Sequence, residues 1–193
     1  MNKSRSVVLA ACLFAATPAF AFDDNRQGFI LGLGIGLHSI NSDFVVNGAK
    51  TGSQSEGGIA TSFKIGGGVT DQFALYYVRN ASWYSAPYSD GSVTREIAYT
   101  IGLSGLGASY FLEPAAPSGY FLAAVGVGDI SAPFESNIQA DTGGAFMLGG
   151  GYEFSKNLMF EATLQATSIQ SSGIPPVTRR SSSLQFTINY LFY

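Results

Sequence analysis

Gly28-Phe29-Ile30-Leu31-Gly32-Leu33-Gly34-Ile35-Gly36-Leu37-His38 is the stretch on which the fold turns. Successive strand residues point to opposite faces, so a period of two marks a strand between two different environments. Phe29, Leu31, Leu33, Ile35 and Leu37 share one face here, and Gly28, Ile30, Gly32, Gly34, Gly36 and His38 share the other. Gly28, Gly32 and Gly36 also match the GxxxG packing motif of membrane helices. The alternation of glycine with Phe, Leu or Ile favours the strand. A spanning helix needs about 20 apolar residues, and the charge-free run at residues 97–112 is shorter and broken by glycines and serines.

The pattern recurs along the chain. Ile59, Thr61, Phe63 and Ile65 oppose Ala60, Ser62, Lys64 and Gly66, and Phe73, Leu75 and Tyr77 open a third segment. Ile97, Tyr99, Ile101 and Leu103 mark a fourth; the apolar parity then changes at Ser104-Gly105 and continues through Leu106, Ala108, Tyr110 and Leu112, which predicts a β-bulge. Phe121 to Val127, Phe146 to Phe154, Leu158 to Leu164 and Leu184 to Phe192 supply four more alternating runs. Long polar connections (39–57, 85–95, 129–141, 168–180) alternate with short ones at Thr70-Asp71-Gln72, at 113–118 and at Ser155-Lys156-Asn157. Long outside loops and short periplasmic turns are the signature of an up-and-down membrane barrel. The predicted fold is all-β, an eight-stranded antiparallel up-and-down transmembrane β-barrel.

Aromatic residues flank the short turns. Phe73, Tyr110, Tyr120, Tyr152, Phe160, Tyr190 and Phe192 are predicted to form an inner girdle at the headgroup boundary, with Trp83, Tyr84 and Tyr99 toward the outer one. Composition points the same way. Only 12% of residues are charged while 13% are aromatic and 24 are glycine, whereas a soluble β-sandwich or barrel would carry more Lys and Glu on its water-facing side. Lipid offers no hydrogen bonds, so every backbone group must be paired inside a closed sheet.

The N-terminus reads as an export signal. Lys3 and Arg5 precede an apolar run at 7–16, and Ala19-Phe20-Ala21 fits small-x-small cleavage, giving a signal peptide at 1–21 and a barrel domain at 22–193. A competing lipoprotein box ends at Cys12, but the apolar segment before it is short and continues past it. Cleavage after Ala21 would leave a chain of 172 residues with eight basic and 13 acidic side chains and no cysteine. That excludes a disulfide or thiolate metal site from the mature chain, and its acidic balance argues against nucleic acid.

Gly149-Gly150-Gly151-Tyr152-Glu153-Phe154 before a tight turn, Leu106-Gly107-Ala108-Ser109-Tyr110-Phe111, and the terminal Ile188-Asn189-Tyr190-Leu191-Phe192-Tyr193 give the mature chain its likeness to a family. The chain resembles the small outer-membrane β-barrel proteins, the group of the outer-membrane protein A transmembrane domain and the OmpX-type barrels. The resemblance implies outer-membrane localisation, contact with outer-membrane lipids and lipopolysaccharide, and insertion by the barrel assembly machinery through the C-terminal strand. Members tend to end on an in-phase aromatic; here that residue is Phe192, with Tyr193 following it.

Lys64, Glu153 and Glu161 fall on the polar, lumenal face. Enclosed charges are expected to pair, which predicts a network joining Lys64 to Glu161 with Glu153 below; solvation by lumenal water is the alternative. Arg79 falls on the lipid side by counting from Phe73, where it would snorkel toward lipopolysaccharide phosphate, unless a bulge near Tyr76-Tyr77 turns it inward. His38, the single histidine, is a poor metal candidate alone. Some eight-stranded barrels are lipid A deacylases with Ser, His and Glu, His and Ser lying two apart on a strand. Here Ser39 directly follows His38, so that motif is absent. Gly32, Gly34 and Gly36 lack a dinucleotide fingerprint and are expected to narrow the lumen and let the sheet curve. No catalytic, cofactor or metal residue is assigned. The sequence points to a non-enzymatic structural or surface-interaction barrel that uses its outside loops; a narrow solute channel and an outer-membrane lipid-modifying enzyme are the alternatives.

Overall fold

The computed structural model describes residues 26–89, 94–135, 138–171 and 175–193. The expected signal peptide at 1–21, its cleavage junction and Cys12 lie outside them. Eight strands follow in chain order: β1 (Gly28–Val46), β2 (Ala49–Gly68), β3 (Phe73–Ser89), β4 (Thr94–Phe111), β5 (Ser118–Ser131), β6 (Asp141–Ser155), β7 (Leu158–Gln170) and β8 (Val177–Phe192). Each pairs antiparallel with the next, and β8 closes on β1.

One ladder followed around the wall fixes the geometry. Leu31 lies opposite Ile65, then come Tyr77, Leu106, Val125, Phe146, Ala166 and Ser182, and Ser182 lies opposite Asn41. The ladder thus returns to β1 ten residues above its start. Such a stagger in an eight-stranded sheet tilts the strands by roughly 40–45°, so each residue rises about 2.4 Å along the barrel axis.

The distribution of side chains is inverted relative to a soluble domain. Leu37, Leu106, Phe121, Val125, Phe146, Leu164 and Ile188 are exposed, whereas Lys64, Asn80, Glu153, Glu161, Gln165, Gln185 and Asn189 are buried. Outward apolar side chains run from the aromatic level of Tyr110, Tyr152 and Tyr190 up to Leu37, Ile59, Val127 and Leu184. At about 2.4 Å per residue that band is roughly 15–18 Å tall from Cα to Cα, and the side chains at its two edges extend it toward the apolar height of outer-membrane barrels. Above it the outward positions become Ser39, Asn41, Ser168 and Ser182.

Two expectations are corrected. The polar segment 39–57 is not a loop: β1 and β2 run on as a hairpin to a two-residue turn at Asn47-Gly48, both with positive φ (50° and 82°), the geometry of a type I′ turn. In the expected loops 85–95 and 168–180, residues 85–89, 94–95, 168–170 and 177–180 are likewise strand. Small polar residues on both faces hide the alternation once the chain leaves the apolar slab. The bulge at Ser104-Gly105 is also absent, because β4 pairs in unbroken register with β3 and β5. The apolar residues change face while the strand does not: Ile97, Ile101 and Leu103 point into the lumen and Leu106 and Tyr110 point out.

Candidate functional site: the lumen and the lipid-facing wall

The lumen is built in layers. At its lower end Arg26, just ahead of β1, meets Glu153 of β6. The Arg26 Nε donates to Glu153 Oε2 at 3.0 Å, Nη2 donates to the same oxygen, and Nη1 donates to the carbonyls of Asp71 (2.9 Å) and Glu113 (2.8 Å). The guanidinium lies 4.0 Å from the Phe111 ring centroid. Tyr193, the residue beyond the in-phase aromatic, turns inward and donates its hydroxyl to Glu153 Oε1 at 2.6 Å.

The next layer joins Lys64 of β2 to Glu161 of β7 by a buried ion pair. The Tyr120 hydroxyl donates to the same Glu161 oxygen at 3.0 Å, and Tyr76 shares a 2.7 Å hydrogen bond with Ser109. Gly107 and Gly151 make room for these rings: a Cβ at either would stand 2.5 Å from Tyr76 or Tyr120. The space left among Lys64, Tyr76, Tyr120, Met159 and Leu191 is about 10 Å³, at the lower limit for one water.

Above this layer Asn80 donates to Gln185 (3.1 Å), Gln185 donates to Ser82 (3.1 Å), and Ser82 pairs with Ser183 (2.9 Å), all buried. The upper lumen is apolar: Ile40, Tyr84 and Ile101 pack with Ala86, Tyr99 and Ile130. Arg179 covers this cluster with its guanidinium 5.2 Å from the Phe44 ring and 5.8 Å from the Tyr84 ring.

Lys64 and Glu161 are therefore brought together, while Glu153 takes a separate partner, Arg26. Arg26 escaped the sequence reading because it precedes the first alternating strand and carries no periodic signal. Of the expected inner girdle, Phe73, Tyr110, Tyr152, Phe160, Tyr190 and Phe192 lie on the outward parity, with Tyr152 and Phe154 (6.0 Å between centroids) and Tyr190 and Phe192 (4.6 Å) in ring contact. Tyr120 does not belong to the girdle. It is buried in the lumen, and its neighbour Phe121 faces out. Where two aromatics are adjacent, only the register decides which one meets lipid. Tyr84 and Tyr99 are also inside, whereas Trp83 faces out at the upper edge of the band and donates to Thr61 Oγ1 at 2.9 Å.

Arg79 points to the lipid side and reaches upward. It forms a forked pair with Asp129, one arm at 2.9 Å, and its Nη1 donates to Ser104 at 3.0 Å. Gly102 lies beneath it: a Cβ there would come within 2.8 Å of the guanidinium. On the β1–β2 hairpin above the band, hydrogen bonds from Lys50 and Ser53 hold the Asp43 carboxyl below the usual carboxylate range. His38 is buried with Nε2 2.9 Å from the Trp83 carbonyl oxygen. No group of three His, Cys, Asp or Glu side chains is placed to hold a metal ion among the described residues.

A closed, tilted ring with an apolar outside and a polar, ion-paired inside defines an eight-stranded β-barrel of the outer-membrane type. Solved structures share this fold, among them the following two. The outer-membrane protein OprG of Pseudomonas aeruginosa is 14% identical, with 88% of this chain and 99% of that one aligned at a TM-score of 0.51. The attachment invasion locus protein Ail of Yersinia pestis is 14% identical, with 85% and 99% aligned at a TM-score of 0.50. No protein-family model and no curated protein sequence matches the chain.

Proposed function

We propose that the protein is an integral outer-membrane barrel with a structural or surface-interaction role, neither a pore nor an enzyme. One observation carries this reading: the lumen is filled by its own side chains. The Arg26–Glu153 floor, the Lys64–Glu161–Tyr120 layer and the apolar cluster of Ile40, Tyr84 and Ile101 lie in series across it. Three such layers stand in the way of a solute, and His38 is buried with its Nε2 against the Trp83 carbonyl oxygen. The outer ends of the strands stand above the apolar band and present exposed polar side chains on a rigid base, where recognition is usually carried. Export by the signal at 1–21, and recognition of the β8 end by the barrel assembly machinery through Phe192, belong to the same reading. Planar-bilayer recording tests it: the mature protein inserted at high density is expected to give no discrete conductance steps, and reproducible steps that disappear in Lys64→Trp would establish a channel instead.

A further inference from the structure

β8–β1 is the one junction of the wall whose two strands are not consecutive in the chain. No short connection ties it at either end, so ladder hydrogen bonds and side chains alone hold it. The ladder stops short at its lower end. β1 first meets β8 at Leu31, opposite Phe192, so Gly28, Phe29 and Ile30 have partners on β2 and none on β8 among the described residues. The seam frays most easily from there.

Side chains take over at that point. Glu153 of β6 is fully buried, and its two oxygens go to opposite sides of the seam. Oε2 accepts from the Arg26 guanidinium, just ahead of β1, and Oε1 accepts from the Tyr193 hydroxyl, just past β8, at 2.6 Å. The local sequence aims Arg26 at this carboxylate. Gly28, with φ at 99°, sets the direction in which the chain enters β1, a conformation open to glycine. Gly68 opposite leaves room for that entry, since a Cβ there would stand 1.6 Å from the Arg26 carbonyl oxygen. The carbonyls of Asp71 and Glu113, in the connections before β3 and β5, take the remaining arm of the guanidinium. A buried ion pair holds firmly only when its other hydrogen-bonding positions are met in this way.

We propose that Arg26, Glu153 and Tyr193 form a latch that closes the lower end of the β1–β8 seam. The floor of the lumen thereby has a second task, because one carboxylate grips both edges of the sheet. Tyr193, which follows the in-phase aromatic Phe192, serves ring closure.

Amide hydrogen exchange of the mature barrel in micelles, followed residue by residue, tests this. The amides that bridge β1 and β8 from Leu31 to Ile35 are compared with those that bridge β4 and β5 around Ala108 and Ala123, which lie opposite each other at a similar height. Gel migration before and after boiling reports barrel closure separately. Glu153→Gln is expected to speed exchange at the seam about tenfold or more, as loss of a charge-assisted hydrogen bond does, and to leave the β4–β5 amides within about twofold. Tyr193→Phe is expected to act in the same place by a smaller factor. Arg26→Met combined with Glu153→Leu leaves no lone buried charge, so it should keep heat-sensitive migration and still show the fast seam. Leu33 and Tyr190 face each other across that seam. A disulfide between Leu33→Cys and Tyr190→Cys, added to the double variant, is expected to return the seam amides to the wild-type rate. Unchanged exchange in every variant overturns the proposal. So does equal acceleration at both junctions, which would make these residues contributors to general stability, and so does a fast seam that the disulfide fails to slow. Absence of heat-sensitive migration in the wild type would instead defeat the barrel reading itself.

Discussion

Lys64 and Glu161 show how the lumen tolerates charge. Both are almost fully buried, and a buried ion of one sign is strongly unfavourable without the other. Lys64→Ala is expected to lower stability by about 3–5 kcal/mol in urea unfolding of the bilayer-inserted barrel. Adding Glu161→Gln should recover a large part of that loss, because Tyr120 can still donate to the amide oxygen. Single and double variants of equal stability to the wild type would mean that lumenal water, not the partner, satisfies these groups. On the outer wall Arg79 and Asp129 pose the same problem against lipid. Asp129→Val is expected to destabilise by about 1 kcal/mol, the penalty of a lone cation on the lipid face near the interface, and Arg79→Leu combined with Asp129→Val by less. Lys64 and Glu161 were legible as a facing pair because alternation assigns parity to each strand. The Arg26–Glu153 contact was not, because a residue outside a strand has no parity to read.

At the level of elements, the sequence shows a strand clearly only where its two faces meet different surroundings. β1, β6, β7 and β8 alternate cleanly in the apolar band and were read correctly there. The outer halves of β1 and β2 carry Ser, Asn, Gly and Gln on both faces, so they looked like loop although they form a hairpin closed by Asn47-Gly48. β4 failed in the opposite way: its outer half faces an apolar lumen, so Ile97 to Leu103 mimicked a lipid-facing row. Above Ile59, β2 no longer pairs with β3, while β1 stays paired with β8 to Val46, so the hairpin tip is tied to the ring on one side only. Replacing residues 43–53 by a two-residue turn is expected to leave heat-sensitive gel migration unchanged. Loss of the fast-migrating form would show that the hairpin is needed for closure. Gly107→Leu, by contrast, drives a side chain into the Tyr76 ring and is expected to abolish that form.

The whole molecule is a ring whose interior is spent on holding itself shut and whose exterior carries two surfaces, an apolar belt and a raised polar rim. Strand tilt and the rise of each residue follow from the ten-residue stagger, and the height of the belt follows from that rise and the outward apolar residues on each strand. The central claim is that the odd-numbered residues of β1 from Phe29 to Leu37, with their partners on β2 and β8, meet lipid. Trp83 is the only tryptophan, so a Trp83→Phe background permits single-tryptophan placement at will. Ile188→Trp and Thr187→Trp, neighbours on β8 with opposite parity, are compared in bilayers containing chain-brominated lipid. The account expects strong quenching at 188 and little at 187; equal quenching, or quenching at 187 alone, would contradict it.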